Sequence, residues 1–258
     1  MKNNIFKITI FLLSFFLTKT LNADELTLNA VQVEVDRSTN VIYATGEVVV
    51  NDQMNNVITS DAAEYDKTNG TLKTIGFTKI KTSENYEIIG KDIIYEDNKK
   101  IIYSENSTEI KDIDGNTIKV DMFNYLTLKN MFFSTGNIEI QDKRDNQYFF
   151  TEIYIDEKKK KIVGSDIRSF FNDNNFKEDK KNEPRFFANS ATITNENTVF
   201  EKGIFTSCKQ RENNKCPPWS IRSEKISHNN AKKTIYYENA VLKIYDFPVF
   251  YFPKIFSS

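Results

Sequence analysis

Apolar side chains return to the same place along this chain every thirty residues, five times in succession. One column holds Val35, Tyr65, Tyr95, Tyr125 and Ile155; a second, two residues earlier, holds Val33, Ala63, Ile93, Phe123 and Ile153. A third runs through Ile42, Leu72, Ile102, Phe132 and Ile162, and a fourth through Val50, Ile80, Ile110, Ile140 and Phe170. A shorter fifth contains Ile58, Ile88, Ile118 and Tyr148. A constant period of this length marks stacked units, none of which can bury its apolar face alone. Within a unit the apolar positions mostly alternate with polar ones, the signature of strands. The expected architecture is all-β: a long stack of antiparallel strands with a continuous apolar inner surface.

Polar turns separate the strands. Segments 36–40, 66–70, 96–100 and 156–160 are rich in Asp, Asn, Gly and Lys, which suit hairpin connections. The fourth unit differs, with Leu126 to Asn130 at that place. A second strand follows each turn, expected over 41–46, 71–76, 101–106 and 131–136. Its fourth residue is always small: Ala44, Thr74, Ser104, Ser134 and Gly164. Gly46, Gly76, Asn106 and Gly136 recur two residues later, as a bulge or corner requires. All five prolines lie at or beyond Pro184, leaving the repeats free for uninterrupted ladders. The polar run Asn172–Pro184 reads as a loop lengthening one repeat, after which the pattern resumes with wider spacing at Ala191–Ile193 and Ser223–Ile226. The inner face is either filled by its own side chains or splayed into a groove. The first and last strands should present unpaired backbone edges.

Residues 1–23 stand apart. Lys2 and Lys7 accompany the apolar run Ile8–Leu17, and small Ala23 precedes Asp24 and Glu25. This is the layout of a secretory signal cleaved after Ala23, its apolar core too short to span a bilayer. Removing its three lysines moves the formal charge from −1 to −4. No basic excess points to nucleic acid. The lysines at 158–161 form a turn with Asp156 and Glu157.

Catalytic and metal chemistry find little support. His228 is the single histidine, and its position suggests a solvated turn. Neither a nucleophile elbow nor a glycine-rich phosphate loop occurs, and no CxxC pair is present for zinc. The pairs Asp61/Glu64 and Asp112/Asp114 are expected at strand ends or turns, on a solvated face. Cys208 and Cys216, the two cysteines, lie eight positions apart on a proline-containing loop, and export would allow a disulfide worth about 2–3 kcal/mol. No cofactor is expected.

The most specific segment spans Cys208 to Pro253: Cys216-Pro-Pro-Trp219, Ile221-Arg222, His228, Thr234-Ile-Tyr-Tyr237, Ala240 and Pro248-Val-Phe-Tyr-Phe-Pro253. In these residues the chain resembles the N-terminal periplasmic region of the outer-membrane lipopolysaccharide-assembly family LptD. The upstream repeats resemble the OstA-like domain of that pathway. The resemblance implies a signal peptide over 1–23, an OstA-like β-jellyroll over 24–207, and a cassette over 208–258 leading toward a β-barrel for which no strands follow. It further implies a non-enzymatic periplasmic conduit at the outer membrane, sheltering the acyl chains of lipopolysaccharide in an apolar groove. The lining would be Val33, Val35, Ile42, Ala63, Tyr65, Leu72, Ile93, Tyr95, Ile102, Phe123, Tyr125, Phe132 and Ile153. Partners would be a periplasmic bridge protein joined by strand addition, and a separate barrel with its lipoprotein plug. In that family some cysteines of this segment pair with the barrel. The competing reading is a secreted β-solenoid that binds polysaccharide, which would need acidic and aromatic residues grouped on an outer face.

Overall fold

A computed structural model describes residues 26–172, 183–209, 217–229, 231–232 and 234–257. The expected signal segment and Cys216 lie outside these residues. The described chain is all-β. Its strands are β1 (Thr27–Asn29), β2 (Gln32–Asp36), β3 (Val41–Asn51), β4 (Val57–Asp66), β5 (Thr71–Lys81), β6 (Glu87–Lys91) and β7 (Ile94–Glu96). Then follow β8 (Ile101–Ser104), β9 (Thr108–Lys111), β10 (Thr117–Val120), β11 (Phe123–Leu126), β12 (Met131–Gln141), β13 (Gln147–Asp156) and β14 (Lys161–Phe170). The last five are β15 (Arg185–Ile193), β16 (Asn197–Thr206), β17 (Trp219–Asn229), β18 (Thr234–Ile244) and β19 (Phe247–Ser257).

Pairing is antiparallel throughout and runs in chain order for the long strands, while the short strands between β5 and β12 pair within their own layer, β6 with β9 and β8 with β11. β3 pairs with β4, β4 with β5, β12 with β13, and so on to β18 with β19. The sheet is creased along its length. β2 pairs with Val41–Thr45 of β3, whereas β1 pairs with Val49–Asn51 of the same strand. Likewise β7 takes the first half of β5 and β6 the second. Each long strand therefore belongs half to one layer and half to another, and the apolar faces of the two layers meet inside the crease. The strands run well past their expected ends at 46, 76 and 136 because the bulge residues continue into the second layer. At the crease the backbone turns through positive φ at Gly46 (75°), Gly76 (83°) and Gly136 (103°), as their spacing suggests. Asn106 departs from this, since the strand there breaks between Ser104 and Thr108.

The sequence columns become rows across the sheet. Val35, Ile42, Tyr65, Leu72, Tyr95, Ile102, Tyr125, Phe132, Ile155 and Ile162 are successive cross-strand partners in the first layer. Val50, Ile58, Ile80, Ile88, Ile110, Ile118, Ile140 and Tyr148 do the same in the second. Such rows of β-branched and aromatic pairs are what stabilise a sheet side to side. From β3 to β13 the interior is filled: Leu72, Ile102, Phe123, Tyr125 and Ile153 have no exposed surface, and Phe123 stacks on Phe132 at 5.7 Å.

The small residues explain how the layers approach so closely. Ala44, Thr74, Ser104 and Ser134 are all buried at the crease. Their hydroxyls also bond backbone groups that the ladder abandons there. Thr74 Oγ1 donates to Ile93 O at 3.1 Å and accepts from Ile93 N at 2.8 Å; Ser134 Oγ donates to Met122 O at 2.6 Å. A Cβ on Gly164 would lie 2.4 Å from the Phe150 ring. The carboxylates singled out in the sequence are structural too. Asp61 lies within β4, contrary to its expected place at a strand end, and accepts from Phe77 N at the bulge. Asp112 closes a five-residue turn, accepting from Asp114 N and Asn116 N.

Replacing Gly164 with Ala should therefore cost about 1–3 kcal/mol by overpacking, read as a lower urea midpoint with unchanged slope. An unchanged midpoint would show that the crease is not close-packed.

Candidate functional site

Both sides of the roll follow from its turns. Turns of the first layer end at Asn40, Gly70, Lys100, Asn130 and Lys160, each with positive φ. They are stitched together by backbone bonds that recur every thirty residues: Lys67 N to Asn40 O, Asp97 N to Gly70 O, Thr127 N to Lys100 O and Glu157 N to Asn130 O. Turns of the second layer repeat an Asx-type closure at Asp52–Asn56, Asp112–Asn116 and Asp142–Asn146, with carboxylate-to-amide distances of 2.7, 2.6 and 2.8 Å.

Over the first half of the molecule the two sets of turns touch, closing the side of the roll opposite the crease. Tyr95 donates its hydroxyl to Asp97 at 3.0 Å, and Lys100 Nζ reaches the same oxygen at 2.7 Å. Burial, with Asp52 and Asp97 alongside, holds the Tyr95 hydroxyl far above the ordinary phenol range. One unit on, Asn130 of the first layer donates to Ser83 Oγ of the second at 2.9 Å, while Tyr125 donates to Glu157 Oε2 at 2.9 Å. Beyond Glu157 the contact stops. A slot of about 220 Å³ separates Glu84, Tyr86, Asp112 and Asp114 from Glu157, Lys160 and Ile193.

Past that slot the layers part around an apolar cavity of about 470 Å³. Its first-layer wall continues two rows: Ile193, Thr198, His228 and Ile235, and Phe200, Ile226 and Tyr237. Its second-layer wall is Tyr148, Ser169, Phe186 and Phe205, again successive partners, with Phe171 beside them. Phe186 and Phe200 meet across the crease end at 4.5 Å between ring centroids. Exposed apolar area far exceeds polar on this lining, and it carries no carboxylate. Burial raises the Tyr237 hydroxyl above its ordinary range. A wall of this composition suits a hydrocarbon chain. Among the described residues no three His, Cys, Asp or Glu side chains group as a metal site.

The sequence-nominated lining falls into three settings. Ala63, Leu72, Ile93, Tyr95, Ile102, Phe123, Tyr125, Phe132 and Ile153 are buried together in the filled part of the roll. Ile42 and Tyr65 are half-buried. Val33 and Val35 stand on the β2 edge, 49% and 51% exposed, because no further strand covers them there. The cavity itself uses residues the thirty-residue period did not nominate, since the 171–184 connection and the wider spacing after it break the columns. The one available signal was the resumption at Ile193 and Ile226. His228 does not sit in a turn: it lies within β17 and faces the cavity. Cys208 lies two residues beyond β16, its carbonyl accepting from Arg185 Nη1 at 2.5 Å; the expected disulfide involves Cys216, outside the described residues. At the far edge β19 pairs with β18 alone and leaves Phe247, Val249, Phe250, Tyr251 and Phe256 exposed. Pro248 and Pro253 are tolerated there because one side of an edge strand makes no ladder bonds.

No protein-family profile and no curated protein matches this chain. Among solved structures it is similar to LptH of Pseudomonas aeruginosa, described as the LptA-homologous periplasmic component of the lipopolysaccharide transport device. The match has 16% identity and a TM-score of 0.24 over 54% of this chain and 80% of that one. Similarity that slight carries no conclusion about this chain, whose architecture rests on its own strand pairing.

The contrast between filled and open halves is measurable. Phe123→Ala should cost about 3–5 kcal/mol. Phe200→Ala, beside existing empty space and already partly exposed, should cost less than half as much in the same urea titration. Equal losses would mean that the second half is packed like the first.

Proposed function

We propose that this protein is a non-enzymatic component of lipopolysaccharide transport, acting in the periplasm at the outer membrane. The observation that carries the reading is the apolar cavity between the layers of β13–β18, in a chain whose last strands resemble those of the LptD family. Acyl chains transferred from water into such a site gain roughly 0.8 kcal/mol per buried methylene. Shielding of this kind requires no covalent step. The nominated columns from Ala63 to Ile153 continue the same interior, and a chain reaches them only when the layers part.

The two sheet edges supply the contacts for a relay. At β2 the unpaired backbone, with Val33 and Val35 exposed beside it, is the place for strand addition by a periplasmic bridge protein. At β19 the exposed aromatic strand leads toward a separate barrel and its lipoprotein plug. The polysaccharide-binding alternative gains little from the cavity, whose lining is mostly aromatic and aliphatic and carries no carboxylate.

A photo-crosslinking amino acid at Phe205 or Tyr237 should capture lipopolysaccharide, and one at the outward-facing Tyr43 should not. Filling the cavity with Ile226→Trp should lower capture at Tyr237 several-fold while the protein stays folded by circular dichroism. Capture at Tyr43 alone would overturn the reading. Independently, Glu34→Pro should abolish co-purification of a bridge protein without changing lipid capture, because the register of β2 on β3 turns the Glu34 N–H outward, and proline removes that donor from the edge.

A further inference from the structure

Where the closed side of the roll ends, one carboxyl group is buried among its own kind. Glu157 is 6% exposed. It accepts from the Tyr125 hydroxyl at 2.9 Å, and that hydroxyl accepts from Asn130 Nδ2 at 3.3 Å. Asn130 also reaches across to Ser83 Oγ on the second layer. Its other amide atom, Oδ1, is buried with no hydrogen-bond partner. An orphaned acceptor costs about 1–3 kcal/mol, and what it lacks is a donor. Along these bonds Glu157 lies a single hydroxyl away, and protonation would turn it from an acceptor only into a donor.

The surroundings favour that change of state. From the 82–86 turn, Glu84 and Tyr86 face the slot; from the 112–116 turn, Asp112 and Asp114 do; the 157–160 turn adds Lys160, with Asp156 next in the chain. Three carboxylates therefore share the slot with Glu157 and one lysine, while Asp156 is itself paired with Lys159. Burial first, then Glu84 and Asp156, push the Glu157 carboxyl up to about 7, against the hydrogen bonds from Tyr125 and Asn130, which act the other way.

We propose that Glu157, Tyr125 and Asn130 form a proton-dependent latch between the layers, at the boundary between filled core and cavity. Protonated, Glu157 places no charge opposite Glu84, Asp112 and Asp114, and the bond from Asn130 to Ser83 holds the turns together. Ionised, it adds a further negative charge opposite Glu84, Asp112 and Asp114, and the turns separate. Ile193 borders both slot and cavity, so separation there lengthens the mouth of the cavity toward the filled columns. The sign follows from linkage. The folded group binds its proton more tightly than the unfolded one, so its contribution is complete below about pH 4.5 and fades as pH rises through about 7. The consequence for lipid entry rests on the proposed function; the movement of the turns does not.

Hydrogen exchange on the full chain, read by mass spectrometry and corrected for intrinsic rates, tests this directly. In the wild type, protection of the 82–86, 127–130 and 157–160 turns should fall roughly tenfold between pH 5.5 and 8.5, with that of β3–β5 unchanged. Glu157→Gln, neutral at every pH and still a donor, should hold the low-pH protection throughout, which also separates Glu157 from His228. Identical pH dependence in both proteins would overturn the latch. Should Glu157→Gln not fold, the wild type decides alone: flat protection across the range overturns it. A fluorescent fatty acid added at each pH provides the second arm. Exchange that titrates without any uptake contradicts the transport reading and leaves the latch standing.

Discussion

Close approach at a crease is the constraint on which this structure depends. The nineteen strands of the described residues have far more apolar face than a flat arrangement could cover, and folding the sheet on itself hides that face from water. The fold requires side chains at the crease that are small enough to let two layers touch and polar enough to bond the backbone groups left behind. Alanine, threonine, serine and glycine at one position of each repeat meet the first need, and the hydroxyls of Thr74, Ser104 and Ser134 meet the second. Ser223, which donates to the carbonyls of Lys225 and Glu238, repeats the device after the thirty-residue period has lapsed.

The second feature is a difference between the two halves. From β3 to β13 the crease, the interior and the opposite seam are all occupied, so the roll behaves as an ordinary packed core. From β14 onward the crease persists but the seam does not, and the large rings of Phe186, Phe200 and Phe205 prop the layers apart. Packing and ligand space are thus two outcomes of one architecture, decided by whether the turns on the open side meet. The polar contacts at Asp52, Tyr95, Ser83 and Asn130 keep the first half shut.

Much of this was legible from residue spacing. A thirty-residue period with internal alternation is enough to recover an all-β stack, its rows and most of its turns, because cross-strand pairing converts a sequence column into a spatial neighbour. The small fourth residue was visible as a pattern, but its reason needed the second layer, since nothing in one strand reveals what lies across from it. Val33 and Val35 obey the column rule and still face solvent, for a row loses its cover at an edge that sequence does not mark. The cavity was hidden for a related reason. Its walls come from strands separated by long connections, where no fixed interval ties Phe186 to Phe200 or Ile193 to His228.

Whether the open half holds hydrocarbon is best decided by methyl NMR with a nitroxide-labelled acyl chain. Resonances of Ile193, Ile226 and Ile235 should broaden on addition of the chain, while those of Ile80 and Ile102 in the filled half keep their intensity. Uniform broadening over both halves, or none at the three cavity isoleucines, would contradict the cavity as the place where an acyl chain resides.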